Sequence, residues 1–437
     1  MARNKMSVLQ LTFLTALNMM GSGIIMLPAK IADVGMISLL GWAFTIVGVI
    51  ALTYSFAKCG MLTDRTGGLG GFATYAFGEA GSFLTNLTYA IALLISNVAV
   101  AMTSIGYLME CTGIEASPFV GDILITLLLV VSCLVNAGGA RLTGLLSATV
   151  IWGVFLPVLA FVCAAPFHFD PALFAANWNP DDVTLMSSVS DTVPMLLWCF
   201  LGLESACANS DAVDNPQKNV PIAVTLATLG VGFFYVVTTL LIGGIVPNAN
   251  LVNASAPFAV IFSMMFGSQA SAVMTFLMAL ACAGSLISWQ FTASCVFKST
   301  ADSGFLPGFF SRVNRFSAPV QGMIVILIVQ IILLGVSATP QLFGHFTVLV
   351  DLAVVTNVTT YMLCMSSLFV MLAVEEKDLS SLTLSRVLAG LSLVYIFYVF
   401  STFEHVTMTA NAVIFFAGMT GYALIAAWRS KKGTGAA

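Results

Sequence analysis

The sequence predicts an all-α membrane protein whose chain crosses the bilayer twelve times. Of its 437 residues, 59% are apolar and only 8% are charged, whereas an ordinary soluble domain carries about 25% charged residues. A soluble protein is excluded, because so few polar side chains cannot cover a surface in water. Twelve stretches are apolar enough to cross a hydrocarbon core of about 30 Å, which takes roughly 20 residues of helix.

Short polar breaks separate the twelve predicted spans. The spans lie at about 7–32, 37–59, 83–110, 118–139, 142–166, 187–210, 220–246, 271–298, 320–338, 346–374, 384–402 and 406–428. Several contain Gly or Pro, which helices in membranes tolerate better than helices in water do. The first span is too long for a cleavable signal peptide. We expect a single transporter domain over 1–428 and a short cytoplasmic tail at 429–437.

Positive charges predict the orientation of these spans. With the N-terminus in the cytoplasm, fourteen of the fifteen Lys and Arg residues fall on the cytoplasmic side, and only Lys30 falls outside. Positive residues concentrate on the cytoplasmic side of membrane proteins. The bias therefore places both termini in the cytoplasm and supports an even number of spans.

The overall charge and the cysteines exclude several other classes of protein. A net charge of −4 leaves no broad basic face for nucleic acid. The nine cysteines are scattered through apolar stretches without a C-x-x-C pair, so we expect neither a disulfide framework nor a zinc site. No metal and no cofactor are expected.

The first and sixth spans each contain small residues near their middle, at Gly21-Ser22-Gly23 and around Gly202. A helix that unwinds there frees backbone N–H and C=O groups, which need a ligand, water or protein partner inside a membrane. Paired interruptions in two halves of a chain indicate a transporter with inverted repeats and a binding site between them. The repeats would cover about 7–166 and 187–374, followed by two further helices at about 384–428. The alternative is that the glycines only allow close helix packing.

Two acidic residues, Glu204 and Asp351, lie deep within predicted spans. A charge at such a depth costs about 2.5–3.5 kcal/mol, so it is expected to face a cavity or a partner. Because no Lys or Arg lies deep in any span, either the acids are protonated or the missing cation is the substrate. Glu204 could alternatively cap freed backbone groups as a protonated carboxyl, and Asp351 could bridge two helices.

Aromatic residues near these positions are candidates for covering a cation, since a desolvated cation over a Trp or Tyr face gains up to about 2 kcal/mol or more. Trp198 lies six residues before Glu204, and Trp289 and Tyr89 lie inside the eighth and third spans. Asn97, two turns beyond Tyr89, adds a neutral donor and acceptor. Taken singly, each of these residues is explained as well by core packing.

Together these motifs resemble the bacterial basic amino-acid/polyamine antiporters of the amino acid–polyamine–organocation superfamily. The matching stretches are 18–23, 197–206, 215–223, and Gly284-Ser285 followed by Trp289. Members that exchange putrescine for ornithine are the most similar, through 57–61, 200–209, 288–292 and 352–357. The resemblance implies a LeuT-like fold in the bacterial inner membrane, with the site between broken helices 1 and 6 and helices 3, 8 and 10. The resemblance leaves open whether the chain forms a homodimer.

The resemblance also implies roles for individual residues. Gly21, Ser22 and Gly23 would hold the carboxylate and amine of an amino acid, Trp198 would cover the substrate, and Trp289 would line its path. Glu204 would be an acid or proton-linked contact, Tyr89 and Asn97 would line the third helix, and Tyr422 would match a substrate-related tyrosine. Cys59 and Cys207 match positions tied to activity.

Three positions depart from the pattern of the putrescine–ornithine exchangers. Thr74 stands where that pattern has a glutamate, Asp351 where it has a neutral residue, and Met419 where a tryptophan is expected. One interpretation is that Asp351 takes over the acidic role lost at position 74. These departures concern the choice of substrate rather than the fold.

The function expected from the resemblance is exchange of external ornithine for internal putrescine. Proton-coupled uptake of putrescine, exchange of another pair (lysine–cadaverine, arginine–agmatine, histidine–histamine) and proton-coupled amino-acid symport are the alternatives. A channel is disfavoured because the sequence has no filter motif and no rings of charge. An enzyme is disfavoured because no H-E-x-x-H motif occurs and the three histidines fall in predicted outside loops.

Overall fold

The computed structural model describes residues 7–63, 68–113, 117–208, 215–336, 342–374 and 379–433. Over these ranges the chain is helical and contains no strand, which confirms the predicted all-α class. The α-helices, in chain order, are α1 (Val8–Met19), α2 (Ser22–Val34), α3 (Leu39–Leu62), α4 (Leu69–Thr112), α5 (Pro118–Asn136), α6 (Ala140–Val150), α7 (Trp152–Ala164), α8 (Pro171–Ala176), α9 (Leu185–Trp198), α10 (Ser205–Ala208), α11 (Pro216–Gly243), α12 (Pro257–Asp302), α13 (Val320–Val336), α14 (Leu342–Val374), α15 (Leu379–Ser401) and α16 (His405–Gly433).

Most of the predicted spans correspond to long apolar helices, and the others correspond to shorter ones. Within the described residues, nine segments are long and apolar enough to cross a membrane, and one of them, Leu11–Val34, comprises α1 and α2. Two shorter apolar helices, Trp152–Phe167 and Val320–Gly335, cover the fifth and ninth predicted spans. The sixth predicted span is divided between α9 and α10. The chain is therefore a multi-pass membrane protein.

Two helices extend beyond the predicted spans, and in each of them a bend at a glycine separates the extension from the span. α4 is bent at Gly78 (φ 61°) and α12 at Gly267 (φ 79°). A positive φ interrupts a right-handed helix, and glycine adopts it without steric penalty. The spans predicted at about 83–110 and 271–298 correspond to the parts of α4 and α12 that follow these bends.

Both predicted helix breaks are present. The first lies between the end of α1 at Met19 and the start of α2 at Ser22, and the second lies between Trp198 and Ser205. In the second break Gly202 has a φ of 117°, a conformation that L side chains rarely adopt. The small residues identified in the sequence thus coincide with unwound backbone.

Tyr235 on α11 partners backbone groups that both breaks set free. Its buried hydroxyl shares its single proton between the carbonyl oxygen of Met19 at 2.7 Å and that of Cys199 at 2.9 Å. Asn18 links the breaks a second time, because its Nδ2 donates to Ser205 Oγ at 2.9 Å. These side chains supply the protein partners that unwound backbone needs in a membrane.

The remaining helices pack around the broken pair. α4 lies along both α12 and α14, and α3 packs against α11 and α15. Close packing of α3 on α15 requires Gly48, where an added Cβ would lie 2.2 Å from the Tyr395 ring. This arrangement brings α4, α12 and α14 alongside the two breaks.

We expect Tyr235→Phe to destabilise the full-length protein. The substitution removes the donor shared by two buried carbonyl oxygens, and an unsatisfied buried polar group costs about 1–3 kcal/mol. The measurement is thermal unfolding of the detergent-purified protein. Tyr54→Phe is the control, since the Tyr54 hydroxyl lies 3.0 Å from Ser385 Oγ and forms its hydrogen bond outside both breaks. An equal Tm for the two variants would contradict this role of Tyr235.

Candidate substrate-binding site

A cavity lies where the two broken helices meet α4, α12 and α14. Its lining combines backbone-exposing small residues, two tryptophans, one carboxylate and several neutral polar side chains. The lining residues are Asn18, Met19, Gly21, Ser22, Gly23, Leu93, Ser96, Val100, Trp198, Leu201, Glu204, Ser285, Trp289 and Asn357. Neither Lys, Arg nor His occurs among these described lining residues. The cavity is therefore suited to a ligand that brings its own positive charge.

The break in the first span presents the start of α2 to this cavity. Gly21 precedes α2 and makes no side-chain cap, so no side chain occupies the first N–H groups of that helix. An added Cβ on Gly23 would lie 2.8 Å from the Cys199 Cα, so glycine lets the two breaks approach closely. A helix N-terminus attracts carboxylates through its unpaired N–H groups and its dipole. Ser22 and Gly23 thus form a candidate position for a substrate carboxylate.

Glu204 is completely buried and is held by three hydrogen-bond donors. Its Oε1 accepts from the Tyr89 hydroxyl at 3.1 Å, and its Oε2 accepts from the Tyr361 hydroxyl at 2.5 Å and from the Gly202 N–H at 3.0 Å. A carboxylate offers about four acceptor positions, so these donors occupy most of them. These hydrogen bonds favour the ionised form without a basic side chain, whereas complete burial disfavours it.

Glu204 both caps a freed backbone group and faces a cavity, two interpretations that the sequence leaves as alternatives. Gly202 N–H belongs to the unwound segment, so Glu204 does cap a freed backbone group. At the same time its carboxylate lines the cavity. Sequence reasoning misses Tyr361, which looks like one more aromatic packing residue in an apolar span. The available signal is that a buried tyrosine hydroxyl usually has a hydrogen-bond partner.

The two predicted tryptophans both line the cavity, and Trp198 also contacts a residue of a second cavity. The Trp198 and Phe346 rings meet edge to face, with centroids 6.4 Å apart and an interplanar angle of 89°. Phe346 lines a separate cavity. The Trp198–Phe346 pair thus lies between the two cavities.

Asp351 lies on the second cavity and not on the central one. Lys30, Asp191 and Glu404 also line this second cavity, on the side that the distribution of positive charge predicts to face outward. Asp351 on α14 interacts electrostatically with Lys30 on α2, and it lies apart from Glu204 because the two carboxylates belong to different cavities.

Five other predicted site residues lie outside the lining of the central cavity: Tyr89, which bonds Glu204, and Asn97, Tyr422, Cys59 and Cys207. Asn97 donates to Gln290 Oε1 at 2.6 Å in a buried amide network that continues to Gln330. Tyr422 on α16 packs with Phe83 and Phe305.

The two cysteines are buried between helices. Cys207 Sγ faces the Phe56 carbonyl oxygen at 3.5 Å, and Cys59 lies one residue before Gly60, whose added Cβ would be 3.8 Å from Cys207 Sγ. Thr74, the position that departs from the expected glutamate, bonds its own helix at Gly71 O. None of these residues contacts the cavity in this conformation.

Comparison with known proteins places this architecture in a family. Residues 6–427 match the amino acid permease family. The chain belongs to that family. The permease is 45% identical over 422 residues to the putrescine transporter PotE of Escherichia coli strain K12, covering 97% of this chain and 96% of that protein. It is 44% identical over 422 residues to the putrescine transporter PotE of Haemophilus influenzae, with 97% of each chain covered.

A more distant relative of the permease is named for another pair of substrates. It is 31% identical over 323 residues to a cadaverine/lysine antiporter of Escherichia coli strain K12, covering 73% of this chain and 72% of that protein. Family membership makes the chain a transporter and not an enzyme, as the sequence predicts. It also confirms the resemblance identified from the motifs.

With putrescine, the amine in the names of the two PotE relatives, as the probe ligand, we expect Tyr361→Phe to weaken any binding at Glu204. The variant removes the shortest hydrogen bond to Glu204, and hydrogen bonds to charged groups contribute about 1.5–3 kcal/mol, or roughly tenfold to a hundredfold in Kd. Tyr89→Phe removes the longer bond and is expected to have the smaller effect. Binding to the full-length variants by isothermal titration calorimetry measures both, and wild-type affinity in Tyr361→Phe would refute the expectation.

Proposed function

We propose that this permease exchanges extracellular ornithine for intracellular putrescine across the bacterial cytoplasmic membrane. The observation that carries the proposal is the buried Glu204 carboxylate on a cavity without a basic lining residue among those described. The names of the PotE relatives support putrescine as the amine. The proposal includes twelve spans in a LeuT-like arrangement, with inverted repeats at about 7–166 and 187–374, and both termini in the cytoplasm.

The charge of Glu204 provides a specific attraction for a cation. At about 8 Å and an effective dielectric constant of about 20, two opposite charges attract each other by about 2 kcal/mol, which is roughly 30-fold in affinity. Trp198 and Trp289 line the same cavity and offer aromatic faces to an ammonium group. Both substrates carry an ammonium group, so this part of the site serves the inward and the outward steps.

The start of α2 distinguishes the two substrates. Ornithine has a carboxylate, which accepts hydrogen bonds from the N–H groups of Ser22 and Gly23 at the start of α2. Putrescine has no carboxylate and instead carries a second ammonium group. The two substrates therefore share the acidic part of the cavity and differ in their use of the helix break.

Exchange moves one positive charge outward in each cycle, because ornithine enters with one net charge and putrescine leaves with two. A membrane that is negative inside opposes this movement by about 2.3 kcal/mol per 100 mV. The opposing gradients of the two substrates must exceed this amount. Asp351 in the outward cavity adds negative charge on the path of the entering cation.

Exchange of lysine for cadaverine is the second candidate. The cadaverine/lysine antiporter among the relatives favours it, and the substrates differ from ornithine and putrescine by one methylene group. A methylene in an apolar pocket discriminates by only about 1–3 kcal/mol. Counterflow measurements with ornithine, lysine, arginine, histidine and their decarboxylated amines rank the pairs directly.

Uptake of radiolabelled putrescine into proteoliposomes is the test of exchange. We expect uptake to require ornithine or putrescine inside the vesicles, because obligatory exchange needs an empty carrier that seldom changes its conformation. Vesicles without internal substrate are the control. Equal uptake into empty vesicles would overturn strict exchange and, if driven by an imposed proton gradient, would establish proton-coupled uptake instead.

We expect Glu204→Gln to lower putrescine exchange by at least about tenfold, because the substitution removes the charge while keeping the shape of the side chain. Glu110→Gln is the matched control, since Glu110 is exposed at the end of α4. The rates are measured in proteoliposomes over a range of pH. A wild-type rate for Glu204→Gln at every pH would remove Glu204 both as the cation contact and as a proton carrier.

A further inference from the structure

Three buried oxygen atoms on the central cavity have no hydrogen-bond partner among the described residues. They are Asn18 Oδ1, Ser285 Oγ and Asn357 Oδ1. Their side chains are only 6%, 1% and 2% exposed, and all three residues line the cavity. Buried polar atoms are normally hydrogen-bonded, so three such atoms around one cavity indicate a ligand that donates hydrogen bonds.

Neighbouring hydrogen bonds determine how the Asn18 amide is oriented. Ser205 Oγ donates its single proton to the Gly202 carbonyl oxygen at 2.5 Å, so it can only accept from Asn18 Nδ2, which lies 2.9 Å away. The amide NH₂ of Asn18 therefore faces Ser205, and Oδ1 is left as the free acceptor. Ser285 Oγ is oriented toward the break in the first span, since an added Cβ on Gly21 would lie 2.7 Å from it.

The three acceptors come from three separate helices and precede residues already placed in the site. Ser285 lies one helical turn before Trp289 on α12, and Asn357 lies one turn before Tyr361 on α14. Residues four apart lie on the same face of a helix. Ser285 and Asn357 thus each share a helix face with a residue that lines the cavity or binds Glu204.

We propose that Ser285 and Asn357, completed by Asn18, form a subsite for a primary ammonium group of the substrate. A primary ammonium has three N–H donors and no acceptor, which matches the two amide oxygens and the Ser285 hydroxyl oxygen as acceptors. Glu204 supplies charge to this subsite but little direct bonding, because three protein donors already occupy its oxygens. The subsite therefore favours primary amines, because their ammonium groups supply three N–H donors.

The inference rests on the proposed transport of a small cation and is tested separately from it. Putrescine and N,N′-dimethylputrescine carry the same charge, but each ammonium of the methylated compound has one donor fewer. We expect wild-type protein to bind putrescine about tenfold more tightly than the dimethyl compound. In Ser285→Ala and Asn357→Leu, putrescine affinity falls by about tenfold and the preference between the two compounds shrinks toward one.

Two matched controls separate this effect from general damage. Ser132→Ala alters a buried serine outside the cavity whose hydroxyl already donates to the Leu129 carbonyl oxygen at 2.8 Å, so its preference is expected to stay at the wild-type value. Asn411→Leu removes a buried asparagine that bonds Thr359 outside the cavity, and its preference is also expected to be unchanged. Affinities are measured for full-length proteins by calorimetry.

Asn357→Asp keeps an acceptor at this position and adds charge, so it is expected to retain the preference and serves if Asn357→Leu does not fold. A wild-type preference in both Ser285→Ala and Asn357→Leu would overturn the subsite. If Asn357→Leu does not fold, a wild-type preference in Ser285→Ala together with a lost preference in Asn357→Asp would overturn it. Wild-type protein that binds neither compound would instead refute the proposed function. If the variants still bind putrescine with unchanged selectivity, the proposed function is kept and the subsite is rejected.

Discussion

Backbone groups that become free inside a bilayer need protein or ligand partners, and this requirement governs the region around both helix breaks. Tyr235 reaches the carbonyl oxygens of both interrupted helices, and Glu204 accepts the Gly202 N–H. Asn18 and Ser205 join the breaks to each other. The groups that keep the unwound segments satisfied are therefore in part the same groups that form the cavity.

This sharing gives Glu204 two tasks with one side chain. Its oxygens are occupied by Tyr89, Tyr361 and Gly202, which orient the carboxylate and stabilise its charge in a buried site. Charge acts over several ångströms, whereas a hydrogen bond acts only at contact. In the proposed mechanism Glu204 consequently attracts the cation, and neutral oxygen atoms hold it in place.

The central features of the site were accessible to sequence reasoning because they break general rules of membrane helices. Gly21 and Gly202 are small residues in the middle of paired spans, and Glu204 is an acid at a depth where acids are costly. Tyr361 and Tyr235 break no such rule, since a tyrosine in an apolar span looks like packing. Their roles depend on which atom their hydroxyl meets across 157 and 216 residues of sequence.

The sequence by itself determined the membrane class, the approximate spans, the two breaks and the presence of a buried acid, because periodicity, length and charge are local properties of a chain. Only the tertiary structure decided that Asp351 lines a cavity separate from that of Glu204, and that Asn97 bonds Gln290, which in turn bonds Gln330, outside the central lining. Which polar atoms face a common cavity follows from how distant helices pack, and no local pattern records that packing.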